Sequence, residues 1–324
     1  MKTRILGSAG IEVSAIGLGC WGMSGAYGAS DRKESIETIH EAVEQGINFI
    51  DTADIYGDGH NEMLVGEALK NIRHRVVLAS KFGFVGKENG NLSVNGRPEY
   101  VKKACDASLK RLGMDYIDLY YLHRLDKNVP IEDTIGAMSR LVEKGKIRFI
   151  GLSEISAGIL DRAVEDHPVA ALQSEYSLNT RDIEDKVIPA CRKNNIAIVP
   201  FSPLGRALLT LSIKKVEHLA ENDFRKNIPR FQGNNFKKNL ELLALMEEIA
   251  AQKNITPAQL ALAWLLHRGD DIIPNPGMKR KKYIIENIES VNISLYPDEI
   301  ERLDTIFTKI SGDRYSGKSS KFIE

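Results

Sequence analysis

Cysteine is scarce in this 324-residue chain: Cys20, Cys105 and Cys191 are the only three, and no two stand in a CxxC spacing. A disulfide framework and a cysteine zinc site are both unsupported, and a reducing cytosol is the expected compartment. Long apolar runs are missing too. No stretch approaches about 18 consecutive apolar residues, so no membrane span is expected, and the opening MKTRILGSAGIEVSAIGLGC lacks the uninterrupted apolar run of a signal peptide. Charge of one sign is absent, since 44 Lys+Arg face 44 Asp+Glu for a net charge of +0. A neutral chain offers no general attraction for nucleic acid or an acidic membrane surface. There is no GxSxG and no HExxH, and the seven histidines show no ligand spacing, so hydrolase and metalloenzyme chemistry find no support.

What is present is an ordinary globular composition, 43% apolar and 27% charged. Short β-branched or aromatic runs alternate with helical patterns from Val13 to about residue 290, the rhythm of an α/β fold with a parallel sheet. One helix opens at Ser30 and Asp31, places Ile36, Ile39, His40 and Val43 on one face, and stops at Gly46. The same pattern recurs with Val101, Cys105 and Leu112 before Gly113, and with Ile131, Ile135, Met138 and Val142 before Gly145. Eight strands are expected to end near Leu18, Asp51, Lys81, His123, Ser153, Glu175, Phe201 and Pro274. All the gaps but the last suit one strand, one helix and two loops. The last holds an insertion with a polar stretch from Phe224 to Asn239 and two apolar-striped helices, Leu240 to Lys253 and Pro257 to His267. With no linker or composition shift, the expected architecture is a single (β/α)8 barrel domain over residues 1–324, with an insertion between strands 7 and 8.

Gly17, Gly19 and Gly22 form a GxGxxG match. A Rossmann turn opens a helix directly, whereas MSGAYGAS intervenes here, so that reading is set aside. On a barrel, the C-terminal strand ends form the active face. Here they are unusually polar: FIDTADIYGDGHNE, LASKFGF, DLYYLHRLD, FIGLSE, ALQSEYS and IVPFSPLGRA. Taken singly, Asp51 could cap a turn, Tyr56 could be a core residue, Lys81 could snorkel and His123 could be a satisfied buried histidine. Together they suit protonation of a carbonyl oxygen. A phenol is a poor acid at neutral pH unless a cation stabilises its phenolate. Lys81 can supply that cation, Asp51 can hold Lys81, and His123 can orient the carbonyl.

These blocks, from GLGCWGMSGAYG through DTADIYGDGHNE, SKFG, RLGMDYIDLYYLHR, GKIRFIGLSE, LQSEYSL, FSPLGRA and IPNPGMKR to IIENI, resemble the aldo-keto reductase superfamily over nearly the whole chain. The microbial and plant aldehyde-reductase branch is the nearest in look, and potassium-channel β subunits are similar. The resemblance implies a (β/α)8 barrel that binds NADPH without a Rossmann domain, and a tetrad of Asp51, Tyr56, Lys81 and His123. It also implies that Ser153 and Gln173 hold the nicotinamide carboxamide and that Phe201 stacks on its ring. Glu154 stands among these cofactor contacts in place of a common asparagine; a carboxylate can accept from the carboxamide NH2 but cannot donate to its oxygen. Ser202, Pro203, Leu204, Gly205 and Arg206 look like the pyrophosphate loop. GMKRKK, opening at Gly277, resembles the 2′-phosphate site, with Lys279 and Arg280 on phosphate and Glu286 and Asn287 near adenine; taken alone it would read as a solvated basic run. Trp21, Met23, Tyr27 and Phe84 are the expected substrate pocket, over which the tail DRYSGKSSKFIE could close.

The function expected is NADPH-dependent reduction of a small aldehyde or ketone with Tyr56 as general acid, in the cytoplasm, without nucleic-acid or membrane partners. The rivals are a regulatory NADPH-binding subunit and a dehydrogenase running toward alcohol oxidation. Substrate identity and oligomeric state are not legible.

Overall fold

Runs of apolar and β-branched residues that are buried on both faces form the strands of a parallel barrel. The computed structural model describes residues 1–88, 91–221 and 223–316. An N-terminal hairpin, β1 (Thr3–Ile5) and β2 (Glu12–Ser14), precedes the barrel. Then follow β3 (Leu18–Gly19), α1 (Arg32–Glu44), β4 (Phe49–Asp51), α2 (His60–Leu69), β5 (Val77–Phe82), a hairpin of β6 (Phe84–Glu88) and β7 (Asn91–Val94), and α3 (Pro98–Leu112). The alternation continues with β8 (Ile117–Leu122), α4 (Ile131–Glu143), β9 (Ile147–Ser153), α5 (Ala157–Asp166), β10 (Val169–Glu175), α6 (Val187–Lys193) and β11 (Ala197–Phe201). The chain ends in α7 (Gly233–Gln252), α8 (Pro257–Leu266), α9 (Lys281–Glu289) and α10 (Pro297–Phe307).

Seven strands pair in parallel in the order β11-β10-β9-β8-β5-β4-β3. The eighth stave, residues 272–277, closes the ring. Ile272 and Asn275 bridge to Ile198 and Phe201 of β11, and Gly277 bridges to Gly19 of β3. Pro274 and Pro276 have no N–H to give, so this stave accepts from Gly17 and Gly19 at 2.8 and 3.0 Å without forming a regular ladder.

Two clusters make the core. The larger lies mainly between strands and surrounding helices. The smaller lies inside the barrel and contains Phe49, Ala79, Leu119, Tyr121, Ala171, Ala197, Val199 and Ile273, joined by Leu6 and Val13 of the N-terminal hairpin. That hairpin plugs the N-terminal end of the barrel. Gly151 makes room inside, since a Cβ there would stand 2.4 Å from the Tyr121 ring.

Helix starts follow capping chemistry: the Asp31 carboxylate accepts from the Glu34 N–H, and Thr256 forms a capping box with Gln259. The 202–271 connection is the expected insertion, but α7 starts at Gly233, inside the polar stretch that precedes the helix expected from Leu240. The reason is tertiary: Asn239 is fully buried and hydrogen-bonds to the Arg230 and Ser311 carbonyls and the Ser311 N–H. Among the described residues, no helix is long and apolar enough to cross a membrane.

Candidate active site

Inward-facing strand residues change character as each strand climbs. Side chains alternate with period 2, so Phe49 is followed on the same face by Asp51, Ala79 by Lys81, Leu119 and Tyr121 by His123, and Ala171 by Gln173 and Glu175. The polar member always stands at the C-terminal mouth.

Lys81 is fully buried there. An ammonium has three N–H donors, and three acceptors meet them: Asp51 Oδ1 at 2.5 Å, the Thr52 carbonyl at 2.8 Å and the Tyr56 hydroxyl oxygen at 3.1 Å. Because Lys81 donates to the phenolic oxygen, the Tyr56 O–H keeps its own proton free to donate elsewhere. Asp51 Oδ2 accepts from Gln173 Nε2 at 2.9 Å. The buried ion pair thus has hydrogen bonds on both carboxylate oxygens, the condition under which such a pair is tolerated.

Burial pushes the Tyr56 phenol above its ordinary range, and Lys81 offsets this only in part. The cation expected to set Tyr56 acidity is therefore the smaller of two opposing effects. Desolvation also acts against the Lys81 ammonium, but Asp51 and Tyr56 more than compensate, and the net direction is up. Lys81 stays charged. Burial, then Arg124 and Lys81, hold the His123 imidazole well below its ordinary 6.5, so it is neutral at pH 7. Its ring meets Tyr56 edge-on at 5.9 Å and Phe84 at 4.9 Å, and its Nδ1 has no partner among the described residues.

Trp21 lies 6.0 Å from Tyr56 and 5.1 Å from Tyr27. Phe224, from the insertion, stands 6.0 Å from Trp21 and is a wall residue that sequence reasoning missed. Met23 is buried within the main core cluster. Cys20, the thiol beside this wall, is fully buried, and burial pushes its pKa up. Arg124 was also missed. It directly follows His123, is 8% exposed, and donates to the His123 carbonyl at 2.6 Å and the Ser153 hydroxyl at 3.2 Å.

Ser153 ends β9 and Glu154 follows it. Glu154 has a φ of 52°; its Oε1 accepts from the Glu175 N–H at 2.7 Å, and its carboxylate pairs with Arg314 at 3.2 Å. Arg314 and Tyr315 thereby bring the C-terminal segment to the mouth; residues 317–324 of the tail lie outside the described residues. After Phe201 the backbone turns left-handed at Ser202 and again at Gly205, Arg206 and Ala207. A side chain at Gly205 would also strike Asn179, 2.5 Å from the added Cβ. Arg206 forms a bidentate pair with Glu175 at 3.0 and 2.7 Å, so its guanidinium faces a buried carboxylate. Lys279 hydrogen-bonds to the Gly28 and Ala29 carbonyls, while exposed Arg280 directly precedes α9, gives it no side-chain cap, and lies 3.6 Å from Glu34 in the first turn of α1. Asn287 is buried, and the Glu286 carbonyl accepts from Gln259.

Residues 15–307 match the model of the aldo/keto reductase family. The chain belongs to that family. Among solved structures it is similar to a glycerol dehydrogenase from Gluconobacter oxydans, at 29% identity over 97% of this chain and 98% of that one, with a TM-score of 0.86. It is also similar to an aldo-keto reductase from Bacillus halodurans in its holo form, at 27% identity over 98% and 99% of the two chains, with a TM-score of 0.78. An aldo/keto reductase from Klebsiella pneumoniae in complex with NADP and acetate gives 27% identity over 98% and 99%, with a TM-score of 0.74. Family membership makes the chain an oxidoreductase of NAD(P)H-dependent carbonyl reduction, in a family that binds NADP(H).

Proposed function

We propose that this aldo/keto reductase uses NADPH to reduce aldehydes or ketones to alcohols, with Tyr56 as general acid, and that residues 1–324 work as one barrel domain in the cytosol. The observation that carries the reading is the saturation of Lys81. With all three donors engaged, one of them on the Tyr56 oxygen, the ammonium is fixed where a phenolate would form.

Two features of the mouth fit a dinucleotide. Leu204 at φ −99°, ψ 18° followed by left-handed Gly205 is a succession that directs backbone N–H groups to one side, although the Gly205 N–H itself donates to the Ser202 carbonyl at 2.8 Å. At the other end, Lys279 and Arg280 bring two cationic side chains to the start of α9; partial burial, and then the charge of Arg280, lower the Lys279 ammonium from its ordinary range. Ser153, Gln173 and Phe201 would hold the nicotinamide, the 202–206 backbone the pyrophosphate, and Lys279 and Arg280, with Glu286 and Asn287, the adenosine 2′-phosphate end. Gly277 ends the stave that leads there. Glu154 is committed to Arg314 and the Glu175 N–H, and its part is to anchor the C-terminal segment beside the site.

NADPH, when bound, supplies the hydride for the carbonyl carbon. As the π pair of the C=O moves onto oxygen, that oxygen takes the Tyr56 proton, and Lys81 stabilises the phenolate left behind. His123, being neutral, donates a hydrogen bond and orients the carbonyl without giving up a proton. Trp21, Tyr27, Phe84 and Phe224 keep water from the reacting atoms.

The test is NADPH absorbance over a carbonyl panel, with Tyr56→Phe beside the wild type. The variant keeps the ring, so NADPH should still bind while turnover falls on the order of 10² or more. Near-normal turnover would remove Tyr56 from the role. Tight NADPH binding by the wild type with no turnover of any carbonyl would favour a regulatory subunit.

A further inference from the structure

Several guanidiniums crowd the barrel mouth, and they differ in how their charge is met. Arg206 pairs with Glu175 at 2.7 Å, Arg230 lies 4.0 Å from the same carboxylate, and Arg314 lies 3.2 Å from Glu154 and 3.5 Å from Asp182. Arg124 has no carboxylate within 4.0 Å among the described residues, although it is 8% exposed. Its Nη1 gives hydrogen bonds to two neutral acceptors, the His123 carbonyl and the Ser153 hydroxyl. Its guanidinium lies 5.8 Å from the centre of the Phe84 ring and 5.9 Å from that of Phe201. A buried charge is costly unless a counter-charge or full hydrogen bonding compensates it. The local sum agrees: Lys81 and Arg124 are positive, Asp51 is negative and His123 is neutral, which leaves one positive charge beside the reacting position.

Resting on the carbonyl-reduction reading above, we infer that the substrate is an anionic carbonyl compound, an oxo acid whose carboxylate seats on Arg124 while its C=O faces Tyr56 and His123. The planar fork of a guanidinium matches a carboxylate in a bidentate pair. One uncompensated positive charge matches a monoanion. A phosphate monoester would carry nearly two negative charges into a site walled by Trp21, Phe84 and Phe201. Arg124 is thus a specificity residue, distinct from the proton donor.

The experiment uses the full chain and matched pairs: the 2-, 3- and 4-carboxybenzaldehydes and their methyl esters. The quantity read is the ratio of kcat/KM for acid over ester, for wild type, Arg124→Gln and Arg124→Lys. The wild type should prefer the acid in at least one pair. In Arg124→Gln that ratio should fall roughly tenfold to a hundredfold, the scale of one lost charge-assisted contact, chiefly through KM. Arg124→Lys should retain part of the preference. Fluorescence titration of NADPH runs in parallel. If Arg124→Gln does not fold, by circular dichroism and melting, the Lys variant and wild-type inhibition by benzoate against benzamide decide in its place. Equal use of acids and esters by the wild type, or a ratio unmoved by the substitutions, overturns the inference. So does a tenfold loss of NADPH affinity with the ratio intact, which would assign the guanidinium to the cofactor. Turnover of neither acids nor esters is a different result, since there the reductase reading itself fails.

Discussion

Lys81 and Arg280 show the two ways in which this site handles positive charge. Lys81 is sealed from water and saturated by neighbours, whereas the Arg280 side chain is exposed and, among the described residues, pairs with the Glu34 carboxylate alone, at 3.6 Å. An exposed guanidinium loosely held by one carboxylate remains available to an incoming phosphate, and Lys279 beside it hydrogen-bonds to the Gly28 and Ala29 carbonyls rather than to a carboxylate. Arg280→Ala should therefore weaken NADPH binding roughly tenfold or more, about 1.4 kcal/mol, and leave NADH nearly unchanged. Salt should narrow the wild-type preference, because an open site is partly screened. Fluorescence titration of both cofactors measures this, and equal losses for NADPH and NADH would return Lys279 to Lys282 to a solvated basic run. Asp51, Lys81 and His123 could be picked out of the sequence because each is a polar residue closing an apolar run, and the barrel brings them together with Tyr56. Arg124 could not be picked out in the same way. Its adjacency to His123 is visible, but the absence of a partner for its charge depends on where every other carboxylate lies.

Among the elements, those whose stability is local were the legible ones. α1 and α3 carry their own signals, Asp31 as an N-cap and Gly113 in the left-handed conformation at the C-terminus. The first turns of α7 do not. They are polar, and they are held because Asn239 reaches across 72 residues to Ser311, accepting from its N–H at 2.8 Å and donating to its carbonyl at 2.9 Å. The eighth stave was located by its apolar run, but its two prolines kept it from forming a regular strand. Asn239 therefore ties the insertion to the C-terminal segment that delivers Arg314. Asn239→Ala would leave the Ser311 N–H and two carbonyls without this partner and should cost about 2 kcal/mol of stability. The same variant should speed hydrogen exchange in residues 311–316. A loss below about 0.5 kcal/mol with unchanged exchange would show that the segment is held by its ion pairs alone.

For the whole molecule, pH exposes two groups that act in opposite senses. Burial, with Glu62 adding to it, raises the Asp54 carboxyl from its ordinary 3.8 to about 7, and its Oδ1 has no partner among the described residues. The folded protein therefore holds a proton there that the unfolded chain releases above about pH 4. Stability from this group is present below that pH and is lost as pH rises toward 7. His123 works the other way. Its folded pKa lies well below 6.5, so the unfolded chain takes up a proton as pH falls through 6.5 while the folded protein does not, and stability falls with it. Between about pH 5 and 6.5 the two slopes oppose each other, one proton apiece, and the wild type should show little dependence from this pair. The carboxylates held low, such as Glu184, Asp223 and Glu299, act below this window. Asp54→Asn should uncover the histidine and make stability rise with pH, changing the slope by about 1.4 kcal/mol per pH unit. His123→Asn should uncover the aspartate and make stability fall with pH by a similar amount. Equilibrium urea midpoints at half-unit steps from pH 5 to 6.5 measure both. Slopes of the same sign in the two variants would mean that the buried carboxyl and the imidazole do not set the pH response of the barrel.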